Sequence, residues 1–230
     1  MESTRAYRRG FTLVELLVVL AIISILSGIV LSSQTSFNKT LLLANTAYDV
    51  ALTLRFAETY GLGSRLIGTT ANAGYGLHFA SATNNSFSLF ADTWPLVGLG
   101  SNCHKAPSYD PTGPSALPGN CVYDSDHEAS SAHIYTLGNG ITISNLCAHS
   151  NANPGNGWLC SSGGGLTSLD IVFSRPNPTP FMSQNGGYPD PLTSPEVTAA
   201  CIALTSPQGG FNYVSVSAAG EISANATSCP

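Results

Sequence analysis

Hydrophobic and polar positions along this chain follow three successive patterns. From Phe11 to Leu31 the residues are predominantly apolar and carry one charge, Glu15. About 21 residues at the helical rise give roughly 31 Å, enough to cross a hydrocarbon layer of about 30 Å, so this run predicts one membrane span. From Phe37 to Tyr60 a helical period continues: Phe37, Leu41, Ala44, Tyr48, Ala51 and Leu52 share a face, flanked by Leu43, Ala47, Val50 and Leu54. Asn38, Asn45, Thr46, Asp49 and Thr53 fall opposite, while Leu42 and Phe56 break the pattern. Together these stretches predict one helical spine of about 50 residues, roughly 75 Å if unbroken. Ser27 and Gly28 are sites of bending, and Gly61 or Gly63 is the expected left-handed cap. Arg55 and Glu58 are spaced for a surface ion pair.

From Gly74 onward the period is two. Residues 75–79 and 87–90 alternate around Ser-Ala-Thr-Asn-Asn and predict a hairpin. Further strands are expected at 133–137, 141–144, 169–174, 200–204 and 213–217, with turn chemistry at Gly138-Asn139-Gly140. Stretches 93–131 and 145–167 carry Pro, Gly, Asn and Ser with little periodicity and read as long loops. A helix followed by strands predicts an α+β domain, an antiparallel β-sheet laid against the helix.

Charge orients the span. Arg5, Arg8 and Arg9 precede it and only Lys39 follows closely, so the N-terminus is expected in the cytoplasm and the rest outside. The run is too long for a secretory signal and lacks a small-residue cleavage site at its end. Glu15 is unfavourable inside a membrane unless paired. A cut between Gly10 and Phe11 would create an α-amine four residues before it, a candidate counter-charge.

The stretch Gly10-Phe11-Thr12-Leu13-Val14-Glu15-Leu16-Leu17-Val18-Val19-Leu20-Ala21-Ile22-Ile23 resembles the class III signal of type IV prepilins and type II secretion pseudopilins. The resemblance implies a pilin fold. It also implies cleavage after Gly10 by a prepilin peptidase, methylation of Phe11, and pairing of Glu15 with the Phe11 amine of an adjacent subunit. Partners implied are other pilins or pseudopilins and the inner-membrane assembly platform. The strand order, with Leu169-Asp170-Ile171-Val172-Phe173 and residues 213–223, is similar to the GspH/FimT class of minor pseudopilins. Some members of that class take up DNA through a basic tail, whereas Gly220 is followed here by Glu221, Ile222, Ser223 and Ala224.

Composition narrows the function further. Only 9% of residues are charged, and beyond Leu31 five basic and eleven acidic residues leave about −6. Duplex affinity rests on cations that neutralise phosphates, so nucleic acid is not an expected partner. Six cysteines, Cys103, Cys121, Cys147, Cys160, Cys201 and Cys229, all lie in the expected exterior without a C-x-x-C pair, which favours disulfides. Sequential pairing (103–121, 147–160, 201–229) is the expectation, and the crossed connectivities remain open. Asp124, Asp126 and Glu128 form a candidate Ca²⁺ cluster, although the glycine and distal glutamate of an EF-hand are replaced by Ala129 and Tyr135. Walker, nucleophile-elbow and H-E-x-x-H motifs are absent, and no cofactor is expected.

The expected organisation is therefore a leader at 1–10, a transmembrane helix at 11–31, an amphipathic half-helix at 32–63 and a disulfide-containing β-rich domain at 64–230. The expected function is a non-enzymatic minor pilin or pseudopilin of a type IV pilus or type II secretion pseudopilus. Before assembly it would sit in the bacterial inner membrane. The alternatives are an anchored adhesin-like or ligand-binding module that uses the two long loops, or a major pilin.

Overall fold

The structure is a computed structural model. It describes residues 10–63, 65, 73–95, 118–175, 178–187, 197–226 and 228–229, with the side chains of 32–39 and 225–226 excepted. The chain divides into two compact units, Met1–Leu41 and Leu42–Pro230. One helix, α1 (Leu13–Leu62), contributes to both. In the first unit its residues Leu13–Leu31 have a mean hydropathy of 2.8 and none is buried. Ser24 in this run donates its hydroxyl to the Leu20 carbonyl at 2.8 Å, which satisfies that group within the helix.

The second unit is α+β. The last turns of α1 share one apolar core with two five-stranded antiparallel sheets. The first sheet holds β1 (Gly74–Ala80), β2 (Ser86–Asp92), β3 (His133–Thr136), β6 (Ser168–Phe173) and β7 (Phe181–Gln184), in the order β3-β2-β1-β6-β7. In the second, β4 (Thr142–Ser150), β5 (Trp158–Cys160), β8 (Val197–Thr205), β9 (Phe211–Ser217) and β10 (Ile222–Ala226) are ordered β10-β9-β8-β4-β5. A short helix α2 (Ser125–Glu128) precedes β3, and a 3₁₀ turn (Ser161–Gly163) follows β5.

The helix–strand order matches the expectation, but the single sheet becomes two. Two features separate them. Asn139 and Gly140 both take left-handed backbone angles between β3 and β4, and this corner sends the chain from the first sheet into the second. The corner is fixed by the β1–β2 turn, where Asn85 and Asn84 carbonyls accept from the Leu137 and Ile143 N–H groups at 2.8 and 2.6 Å.

Stretch 145–167, expected as a loop, instead holds most of β4, all of β5 and the 3₁₀ turn. Leu146 and Ala148 join the core while Asn145, Cys147 and His149 lie on the other face of the strand, Cys147 buried there, an alternation hidden by small and polar residues. Strands β7 and β10 were likewise too short or too polar to register as periodic. Of stretch 93–131, residues 96–117 lie outside the described residues and α2 lies in the remainder.

The helix also turns a different face to the core than its hydrophobicity suggests. Leu43, Ala47, Val50, Leu54, Ala57 and Gly61 are buried, a spacing of four and three repeated along the helix. Tyr48, Leu52 and Phe56 are exposed at 64%, 41% and 45%. Thr53, expected on the polar side, is buried and donates to the Asp49 carbonyl at 2.8 Å. Small residues decide the outcome: Ala47, Ala57 and Gly61 let the helix approach the sheets closely. Arg55 and Glu58 pair at 2.8 Å on the surface.

Gly61 is inside α1 and has no left-handed angle, so it is not a cap. A Cβ there would overlap the carbonyl of Phe173 on β6. Gly61→Ala is expected to lower stability by about 1–3 kcal/mol, an overpacking cost. Gly138→Ala, which meets nothing within 4 Å, should change it by less than about 0.5 kcal/mol. Thermal unfolding of the two variants in lipid nanodiscs checks the contrast.

Candidate functional site

At the N-terminal segment Gly10 and Phe11 precede α1 without regular secondary structure, and Thr12 stands at its N-cap position. The Thr12 hydroxyl accepts from the Glu15 N–H at 3.2 Å, and the Thr12 carbonyl accepts from the Leu16 N–H at 3.2 Å. Thr12-x-x-Glu15 is the spacing of a capping box, a signal that could have assigned Thr12 a role from sequence. The cap holds Glu15 in the first helical turn, where the helix dipole favours a negative charge. The Glu15 side chain remains exposed.

Gly10 is informative for a different reason. Its backbone is not left-handed, and a Cβ added there would meet nothing within 4 Å. The fold therefore does not require glycine at this position. Phe11, 80% exposed, has no packing role either.

Residues 5–31 match the prokaryotic N-terminal methylation motif. No curated protein and no solved structure matches the chain. The motif thus contains Gly10, Phe11 and Glu15 together with the entire apolar run, and it ends where that run ends.

The other sequence-predicted residues lie far along the chain from the methylation motif, in the second unit. Cys147 bonds Cys160 across a β4–β5 register pair, and Cys201 bonds Cys229. Each crosslink is worth about 2–4 kcal/mol in the loop-entropy account. Cys121 is also disulfide-bonded, while Cys103, its expected partner, lies outside the described residues.

The acidic cluster serves the fold. Glu128 is fully buried, and its carboxylate accepts from the N–H groups of Thr93 (2.7 Å), Trp94 (3.1 Å) and Asp124 (3.0 Å). Asp124 caps α2 by accepting from the Asp126 N–H at 3.1 Å. Among the described residues no group of three potential ligands is placed to hold a metal ion; of the candidate Ca²⁺ ligands, Glu128 and Asp124 accept backbone N–H groups and Asp126 is exposed. Nearby Asp92, also buried, accepts from the Asn120 and Cys121 N–H groups at 2.9 and 2.7 Å. A side chain at Gly119 would collide with that carboxylate.

A third buried carboxylate, Asp170 on β6, lies between its register partners His78 on β1 and Ser183 on β7. It is bonded to His78 Nδ1 at 2.6 Å and accepts from the Ser183 hydroxyl at 3.2 Å. The serine thus spends its proton on the carboxylate, which differs from the serine-to-histidine link of a hydrolytic relay. Together these carboxylates hold residues 118–132 over the first sheet, where Cys121 and Tyr123 join Phe90, Val172 and Phe181 in a small second core. Neither the burial nor the N–H partners could be read from sequence, because they depend on tertiary placement.

Burial raises the pKa of Glu128 to about 7 and raises that of Asp92 well above the carboxylate range, with the neighbouring Glu128 charge adding to the shift of Asp92. Both groups bind protons more tightly folded than unfolded. For Glu128 the stability this confers is fully present below the ordinary carboxylate pKa of 4.5 and is lost as pH rises through about 7, and the raised pKa of Asp92 acts in the same direction. The unfolding midpoint of the full chain should therefore be lower at pH 8 than at pH 5. Glu128→Gln should flatten that slope, and an unchanged slope in a calorimetric pH series would count against the assignment.

Proposed function

We propose that the chain is the precursor of a minor pilin-like subunit, clipped after Gly10 by a prepilin peptidase and methylated on Phe11. It then assembles through its N-terminal helix. The observation that carries this reading is the methylation motif at residues 5–31. It falls on a glycine the fold does not need and on an apolar helix that nothing in its own unit buries. A span of that hydropathy is stable in a bilayer or among neighbouring helices, but not in water.

In this reading the three arginines before the span keep the leader in the cytoplasm, within reach of the peptidase, and the β-rich unit lies outside the bacterial inner membrane. Cleavage frees an amine beside a capped helix start that presents Glu15. An incoming subunit's Glu15 and a resident subunit's Phe11 amine then neutralise each other in a low-dielectric filament core, which sets axial register. The exposed Tyr48, Leu52 and Phe56 give the later turns of α1 a second apolar face, suited to contacts between subunits. The α+β unit with antiparallel sheets agrees with a GspH/FimT-type minor pseudopilin, in a type IV pilus or a type II secretion pseudopilus. The role is structural, and the chemistry belongs to the processing enzyme and the assembly platform.

Intact mass of the protein from cells co-expressing a prepilin peptidase tests this reading. The wild type should lose residues 1–10 and gain one methyl on Phe11, and Gly10→Ala should remain uncut. An uncut wild type would sink the proposal. Glu15→Ala should still be clipped yet disappear from the sheared-filament fraction, whereas normal incorporation would remove Glu15 from the assembly step.

A further inference from the structure

We infer that the outer face of the second sheet carries a binding cleft for a neutral saccharide. The inference concerns the β-rich unit alone and does not depend on how the N-terminus is processed. The cleft has a volume of about 430 Å³, within the range of roughly 300–1,000 Å³ typical of small-molecule sites. Trp158 forms one side, small residues Ala199 and Cys201 of β8 lie at its base, and Ser215, Ser217 and Ser223 line it from β9 and β10. Glu221 is the one charged group among its described lining residues.

The tryptophan is held in place by a chain of contacts. Strand pairing runs His149 with Ala199 and then Ser150 with Val197, which leaves Thr198 as the extra residue of a β-bulge. Bulges re-aim side chains and are frequent beside functional sites. The Thr198 hydroxyl lies 2.7 Å from His149 Nδ1 and fixes the imidazole. His149 in turn meets the Trp158 ring edge-to-face, with centroids 5.1 Å apart. Gly157, at φ +82°, makes room for this arrangement, since a Cβ there would stand 2.7 Å from His149 Nε2. The turn before it is fixed by Asn153, whose amide exchanges hydrogen bonds of 3.2 and 2.9 Å with Gln184 of the first sheet. On the other flank the Cys201–Cys229 disulfide ties the C-terminal segment, with Ser228, beside the cleft.

The lining chemistry selects the ligand class. An indole face attracts the polarised C–H groups of a pyranose ring, while serine hydroxyls and one carboxylate bond its hydroxyls. An anionic ligand would meet Glu221 without a compensating cation. On the floor of the cleft an extended peptide finds no main-chain partners, because β8 is paired on both sides by β4 and β9, and β9 by β8 and β10. A neutral polyhydroxylated ring satisfies the side chains and needs no backbone groups.

The test is saturation-transfer NMR on the full chain in phospholipid nanodiscs, avoiding detergents with sugar headgroups. The probes are cellobiose, maltose, lactose and N,N′-diacetylchitobiose, with glucose 6-phosphate and tetraglycine as comparators. At least one neutral disaccharide should give a saturable signal that Trp158→Ala abolishes and Trp94→Phe leaves unchanged. Ser215→Ala combined with Ser223→Ala should raise its half-saturation by roughly tenfold, the loss of two neutral hydrogen bonds. These serine changes are mild, so they keep the test valid if Trp158→Ala misfolds. Comparing the free disaccharide with the same unit immobilised through its reducing end separates a soluble sugar from a surface glycan, and capture of either form supports the cleft. No saturable signal from any neutral sugar, an unchanged half-saturation in the variants, or saturation by the comparators alone overturns the inference.

Discussion

The close approach of α1 to β6 at Gly61 sets the geometry of the β-rich unit. There the helix comes so near the Phe173 carbonyl that no side chain fits between them. From that contact the seam of Gly61, Ala57, Leu54, Val50, Ala47 and Leu43 runs back along the helix into the core shared by both sheets. Close packing rewards small residues at such a seam, because dispersion falls away with any gap. The larger apolar side chains Tyr48, Leu52 and Phe56 are displaced to the opposite surface, where a filament reading gives them a use.

This seam explains which parts of the fold were legible in the sequence. The long apolar run, the helix beyond it and the change of period at Gly74 are strong, local signals, and the helix and most of the strands follow them. The helix face was misjudged because summed hydrophobicity ranks Tyr48 and Leu52 above Ala57 and Gly61, whereas the packing ranks them by size. Strand β4 was cut short because Asn145, Cys147 and His149 alternate with Leu146 and Ala148 in a way that composition does not show. Two sheets were read as one because strand order between sheets is set by turns such as Asn139-Gly140, whose direction is a tertiary property.

The same division holds for the sites. Gly10, Phe11 and Glu15 stand in a motif that is a linear segment, so they can be picked out from sequence alone. Asp124, Asp126 and Glu128 were misleading because acidic residues close in sequence suggest a cation. In the fold Glu128 turns inward and Asp124 caps α2, both accepting backbone N–H groups, while Asp126 stays exposed; Asp92, distant in sequence, likewise accepts backbone N–H groups, and Asp170 accepts from the Ser183 hydroxyl. The cleft beside Trp158 is built from four strands and a disulfide, so no short window of sequence contains it.

The positions of the cysteines carry a consequence for how the β-rich unit oxidises. Cys147 stands in register with Cys160 on one neighbouring strand and with Cys201 on the other, so the formed sheet offers it two partners. The hairpin partner lies 13 residues away in sequence, and the competing span is roughly four times longer, which favours the hairpin by about 1 kcal/mol of closure entropy. The Asn153-anchored turn strengthens that bias by holding β5 beside β4. The short turn therefore biases oxidation toward the Cys147–Cys160 bond, which leaves Cys201 for the Cys229 bond that ties down the tail.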